Sequence, residues 1–176
     1  MLTELGKHAR LASRKLARLT TAQKNAALHT LADALVADQK TILAANVSDV
    51  ESAKAAGLAQ AMVDRLMLNE ARLADIAHSL RLVADLTDPV GEIFEETTRP
   101  DGLHIRKQRV PLGVLGVIYE ARPNVTVDVA GIAIKSGNAA ILRGGSETLN
   151  TNRALISTLQ KALASSDVPA DVIQFI

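Results

Sequence analysis

The loop Arg143-Gly144-Gly145-Ser146-Glu147 contains the residue types best suited to chemistry in this 176-residue chain. A planar guanidinium can grip a phosphate with two parallel hydrogen bonds, a charge-assisted contact contributing about 1.5–3 kcal/mol. Two glycines let a backbone approach a ligand closely. Ser146 adds a hydroxyl beside them, and Glu147 can accept from a ribose hydroxyl. Together they suit a ribose carrying a 2′-phosphate, hence NADP(H) rather than NAD. The alternative is an ordinary turn whose arginine is solvated. A second loop, Glu120-Ala121-Arg122-Pro123-Asn124, carries a further arginine.

Both loops follow apolar runs. Val114–Tyr119 reads as a strand buried on both faces, and Ala139–Leu142 as a second strand. Between them, residues 124–136 place Val125, Val129, Ile132 and Ala133 at helical spacing, with Gly137 as a stop. Residues 148–164 predict a helix with Leu155, Ile156, Leu159 and Leu163 on one face, and residues 172–176 a third strand. This order predicts a parallel α/β unit with right-handed crossovers. Ligands of such sheets sit at the carboxyl ends of the strands, where both loops fall. Tyr119 and Glu120, leaving the first strand, therefore join the loop residues as candidate cofactor contacts. No G-x-G-x-x-G or G-x-x-x-x-G-K-[ST] follows that strand, which disfavours a standard Rossmann dehydrogenase and a P-loop.

The first 88 residues read as helices. Thr20-x-x-Gln23 and Ser48-x-x-Glu51 are capping boxes, Gly57 is a helix stop, and Asn69 caps a helix running to Asp88-Pro89. Residues 91–110 read as a solvated β-hairpin around Arg99-Pro100-Asp101-Gly102, in need of a partner surface.

Composition narrows the classes. The net charge is +1 and aromatic residues make up 2%, which argues against nucleic acid. Residues 1–40 carry seven Lys/Arg against three Asp/Glu, a balance that fits a solvated helix face. The four histidines are too dispersed for a metal motif, and the absence of cysteine removes disulfides and thiolate metal sites. No apolar run reaches membrane length and Lys7, Arg10, Arg14 and Lys15 interrupt the N-terminus. The chain reads as soluble and cytoplasmic.

Four tracts together resemble the aldehyde dehydrogenase superfamily. Pro111-Leu-Gly-Val-Leu-Gly-Val-Ile is similar to its P-x-G-V-x-G-x-I strand. Lys135-Ser-Gly-Asn-Ala-Ala-Ile-Leu-Arg143 is similar to its A-L-A-x-G-N-x-V-V-x-K segment. Residues 119–128 and 142–147 resemble the branch that reduces an acyl phosphate. The resemblance implies helices and an incomplete Rossmann-like parallel sheet: 1–90 as the helical part of the cofactor domain, 91–110 as an oligomerisation arm joining a homo-oligomer, and 111–176 as the first part of the NADP-binding domain. It implies reduction of L-γ-glutamyl phosphate to L-glutamate 5-semialdehyde with NADPH and release of phosphate, in proline biosynthesis. Arg143 falls where most of the superfamily has a ribose-contacting lysine, and Glu147 near a ribose-binding glutamate. Asn124 corresponds to an oxyanion donor, and Arg122 lies on the substrate side. That chemistry uses a cysteine thiolate, which this chain lacks. The catalytic domain is therefore expected outside these residues, with the chain inactive alone. A non-catalytic nucleotide-binding or interaction module is the alternative.

Overall fold

Five helices precede the first strand in a computed structural model that describes residues 2–176. They are α1 (Leu2–Leu16), α2 (Thr21–Ala37), α3 (Gln39–Ala55), α4 (Gln60–Leu66) and α5 (Glu70–Asp85). Thr20 opens α2 through the expected capping box: its hydroxyl accepts from the Gln23 N–H at 3.3 Å, and the Gln23 side chain accepts from the Thr20 N–H at 2.9 Å. Asn69 caps α5 by accepting from the Arg72 N–H at 2.8 Å. Gly57, at φ +74°, closes α3, with Leu58 donating back to the Ala53 carbonyl at 3.1 Å and Gly57 to Lys54 at 3.0 Å.

The Ser48 capping box does not form. Ser48 lies inside α3, which starts nine residues earlier at Gln39. Its neighbours fill the helix ladder, so its hydroxyl has no free first-turn N–H to accept from.

β1 (Ile93–Thr98) and β2 (His104–Gln108) form an antiparallel hairpin with every residue exposed. The remainder alternates: β3 (Val114–Ile118), α6 (Pro123–Lys135), β4 (Ala139–Arg143), α7 (Leu149–Leu163) and β5 (Ile173–Phe175). The three strands are parallel in the order β3-β4-β5. The middle strand is sealed, with Ala139, Ala140 and Leu142 at 0% exposure.

Two packing expectations fail. β3 is an edge strand rather than one buried on both faces, and Ile118 is 82% exposed. An unbroken apolar run cannot distinguish a central strand from an edge. In α6 the buried residues are Pro123, Thr126, Val127, Ala130, Gly131, Ala133, Ile134 and Lys135, whereas Ile132 is exposed. The helix is held between α2 and α5 on one side and β4 and α7 on the other. Small residues therefore carry the contact, and the bulkier β-branched positions only partly mark it.

One core runs through the helical and α/β segments. It joins Leu16 of α1, Leu28 and Leu35 of α2, Leu80 of α5, Ile134 of α6 and Leu155 of α7. Each fully buried Leu or Ile contributes about 1.5–3 kcal/mol. The sheet is thus fixed against the helices, and its carboxyl ends face α4.

Candidate functional site

The register Ile118↔Arg143 ends β3 and β4 at the same level. Tyr119 adds a last bond, its N–H donating to the Arg143 carbonyl at 3.0 Å. The two loops that follow, 120–124 and 144–147, therefore leave the sheet side by side.

An oriented chain of hydrogen bonds locks them together. The Thr126 hydroxyl donates to Asn152 Oδ1 at 2.8 Å, which leaves it to accept from the Tyr119 hydroxyl at 2.6 Å. Asn152 Nδ2 donates to Thr148 Oγ1 at 3.0 Å, and Thr148 donates to the Gly145 carbonyl at 3.2 Å. Thr126, Thr148 and Asn152 are all fully buried. Burial also pushes the Tyr119 phenol above its usual range, against the opposing hydrogen bond to Thr126. Tyr119, a candidate cofactor contact by sequence, has its hydroxyl engaged within the fold.

The two glycines have a packing reason of their own. A Cβ at Gly144 would lie 2.3 Å from Asn152 Nδ2 and 3.1 Å from the Tyr119 ring. One at Gly145 would lie 2.7 Å from the Glu147 carboxylate and 3.0 Å from Ala121. At Gly144 the direction points into the buried Asn152–Tyr119 pair, so glycine is required there; at Gly145 an added Cβ would displace the Glu147 carboxylate and crowd Ala121.

α3 positions what faces this loop. Asn46, 1% exposed, donates to the Leu66 carbonyl at 2.8 Å and accepts from the Leu68 N–H at 2.7 Å, fixing the end of α4. Asp49, 4% exposed, accepts from the N–H groups of Asn150 and Thr151 at 3.3 and 2.7 Å. It also accepts from the Thr151 hydroxyl at 2.6 Å and Asn150 Nδ2 at 2.8 Å. A side chain from a distant helix thereby caps α7, whose first turn continues the loop.

Two clefts result. The first, about 340 Å³, is walled by Met62, Arg65 and Leu66 of α4 and by Glu120, Gly145 and Glu147 of the loops. The second, about 450 Å³, carries Arg122, Asn124 and Asp128 at the start of α6 opposite residues of α4 and α5. Arg65 lines both. Of the candidate residues, Glu120, Gly145 and Glu147 thus meet at one cleft and Arg122 and Asn124 at the other. Arg143 and Ser146 line neither cleft; both are exposed, and Arg143 forms no ion pair among the described residues. Arg122 lies 3.4 Å from the Glu120 carboxylate. Asn124 Nδ2 donates to Asp128 Oδ2 at 3.1 Å, which leaves its second amide hydrogen for another acceptor. Burial pushes the Asp128 carboxyl above its usual range despite that bond.

The sequence reading passed over Arg65 and Asp128. Arg65 lies in no motif and Asp128 only closes the 119–128 tract, 63 positions away; only the fold brings them to one cleft. The four histidines are exposed and separate from it.

Residues 3–176 match the sequence profile of the aldehyde dehydrogenase family. The chain is 52% identical over all its 176 residues to the γ-glutamyl phosphate reductase of Opitutus terrae, and it spans 41% of that protein. The crystal structure of γ-glutamyl phosphate reductase from Thermotoga maritima superposes with a TM-score of 0.97 at 43% identity, covering 99% of this chain and 42% of that one. The Saccharomyces cerevisiae γ-glutamyl phosphate reductase structure gives 0.91 at 34% identity, covering 98% and 45%. The chain therefore spans well under half the length of these relatives. With its helices, parallel sheet and hairpin arranged as in these structures, the chain belongs to the aldehyde dehydrogenase family.

Proposed function

We propose that this chain is the cofactor-side portion of a reductase that converts L-γ-glutamyl phosphate to L-glutamate 5-semialdehyde, releasing phosphate, with NADPH as reductant, in proline biosynthesis. The observation that carries this reading is the pairing of two clefts at one sheet end, each walled by residues of a different loop. Glu120, Gly145 and Glu147 wall one. Arg122 and Asn124 wall the other. The identity to named reductases runs along the whole chain and supports it.

The residues present fit a phosphorylated dinucleotide. Glu147 is half-buried and aimed at the first cleft, where its oxygens can accept from ribose hydroxyls. Arg143, at the end of β4 in the same loop region, is an exposed guanidinium with no ion pair among the described residues, suited to a 2′-phosphate, and Ser146 follows three positions on. Gly144 and Gly145 keep the loop close to the sheet, and Glu120 completes the wall. Bound NADPH supplies the hydride. On the substrate side, the second amide hydrogen of Asn124 serves the oxygen of the acyl group, where negative charge develops. Arg122 faces the acyl phosphate. The nucleophile in this scheme is a cysteine thiolate, both attacking group and leaving group, contributed outside these residues. The hairpin β1–β2 exposes Ile93, Phe94, Leu103 and Ile105, and we read it as the arm that docks on a second copy. We place the protein in the cytoplasm.

Two outcomes are expected. In the full-length enzyme, Arg143→Ala raises KM for NADPH about tenfold or more, the loss of one charge-assisted phosphate contact, while KM for NADH changes less than about twofold. Equal losses for both cofactors remove Arg143 from the 2′-phosphate role. The pure 176-residue chain, given L-glutamate 5-semialdehyde, phosphate and NADP+, produces no NADPH. Turnover there would sink the assignment of the nucleophile to residues outside it.

A further inference from the structure

The second cleft carries charges of both signs, and half of them are already committed. Arg72 donates to the Asp64 and Met67 carbonyls at 2.6 and 2.8 Å and pairs with the Asp64 carboxylate at 3.0 Å, which ties down the turn after α4. Arg122 sits by Glu120. Asp75, exposed on α5, also forms no ion pair among the described residues. With it remain one arginine and one half-buried carboxylate. Neither Arg65 nor Asp128 forms an ion pair among the described residues.

Asp128 is the more telling of the two. It is half-buried on α6, and its side-chain partner is the neutral amide of Asn124 at 3.1 Å. Burial disfavours its charged form, and no cation among the described residues pairs with it. A carboxylate held in this state at a cleft wall is stabilised by any cation that enters. Arg65 presents a guanidinium to the same cleft, at its junction with the first. A ligand matching this pair carries an ammonium and a carboxylate close together, as an α-amino acid does.

We propose that the second cleft holds the amino-acid head of the substrate, with Asp128 receiving the α-ammonium and Arg65 the α-carboxylate. The proposal rests on the reading of the substrate as a γ-glutamyl group. Placement supports it. Asn124 and Asp128 stand one helical turn apart on α6 with their side chains in contact at 3.1 Å, and both line the cleft that Arg65 closes from α4. An ammonium entering the cleft meets the Asp128 carboxylate on one wall, and a carboxylate meets the Arg65 guanidinium on the other. Asp128 and Arg65 are specificity determinants here, remote from the bond that reacts.

The test uses the full-length enzyme run in the oxidative direction with phosphate and NADP+. Two aldehydes are compared: L-glutamate 5-semialdehyde, and glutarate semialdehyde, which keeps the carboxylate and lacks the amine. The wild type is expected to prefer the amino substrate at least tenfold in kcat/KM. Asp128→Asn should reduce that preference to near unity through KM, and Asp128→Glu should restore part of it. Arg65→Gln should raise KM for both aldehydes by the same factor and leave the preference intact. Asp128→Asn retaining the wild-type preference overturns the ammonium assignment, as does a wild type with no preference. Arg65→Gln with unchanged KM values overturns the carboxylate assignment, whether or not the Asp128 variants fold. A wild type that turns over neither aldehyde overturns the functional reading, and this proposal with it.

Discussion

Asp88→Ala is expected to destabilise the protein by about 3–5 kcal/mol, because it leaves a buried charge unpaired. The charge is Lys24, 1% exposed inside α2. Its ammonium lies 2.5 Å from Asp88 Oδ2 and otherwise donates to the Lys135 carbonyl at 3.1 Å. Asp88 also accepts from the Thr21 hydroxyl at 2.8 Å and the Val90 N–H at 3.0 Å. The pair therefore ties the segment entering the hairpin to α2 and to the end of α6. Lys135, itself buried, extends the network to Asn25 Oδ1 and the Ala84 carbonyl, both at 2.7 Å. Burial holds the Lys135 ammonium below its usual range. Chemical denaturation at neutral pH measures the loss. Lys24→Met in the Asp88→Ala background should recover most of it, since the orphaned charge is then gone. A double variant no more stable than Asp88→Ala would mean that the charge is not what costs.

The same contact sets a pH dependence. Burial alone would raise the Asp88 carboxyl, but the Lys24 ammonium, the Val90 N–H and the Thr21 hydroxyl together hold it below its usual range. The folded protein thus keeps this carboxylate ionised at lower pH than the unfolded chain does. Its contribution is complete above the unfolded value of about 3.9 and is lost as pH falls through the lower folded one. The gap between wild type and Asp88→Ala should accordingly be constant from neutral pH down to about pH 5 and narrow only below about pH 4.

What could be read from the sequence was local, and what could not was contact between distant residues. Thr20 and Gln23 cap α2 because both partners of that box lie within one turn. Ser48 and Glu51 present the same pattern and fail, because Gln39 had already begun the helix. Asn69, Gly57 and the turn at residues 99–102 were legible for the same reason as Thr20. β3 was legible as a strand, but its place at the sheet edge depends on which strand pairs where. The carboxyl-end loops followed from the strand–helix–strand order alone. α4, with seven residues and no side-chain cap, carried no periodic signal, yet it supplies the facing wall of both clefts. The Tyr119–Thr126–Asn152–Thr148 chain shows the same limit: its polar members run from position 119 to position 152 and become one device only when the two loops leave the sheet together.

Asp49→Ala should have the second large effect, and it reaches the cofactor side. Asp49 stands where no local residue caps α7, since Thr148 turns its hydroxyl back to Gly145. Without the carboxylate, the N–H and hydroxyl of fully buried Thr151 lose their acceptor, and the more exposed Asn150 loses a partner that water can replace. At about 1–3 kcal/mol for each unsatisfied buried group, the expected loss is about 3–5 kcal/mol. The anion at the positive end of the α7 dipole is lost as well. Asp49→Asn keeps one acceptor oxygen but sets its amide hydrogens against the Asn150 and Thr151 donors, so it should fall between the two. The consequence for function follows from α3, which holds both sides of the first cleft: Asn46 fixes the end of α4, and Asp49 fixes the turn that carries Ser146 and Glu147. Loosening one side should raise KM for NADPH severalfold in the full-length enzyme while kcat at saturation falls less. An Asp49→Ala protein that keeps wild-type stability would show that solvent replaces the cap. One that loses stability but keeps its KM would show that Glu147 does not depend on α7 for its position.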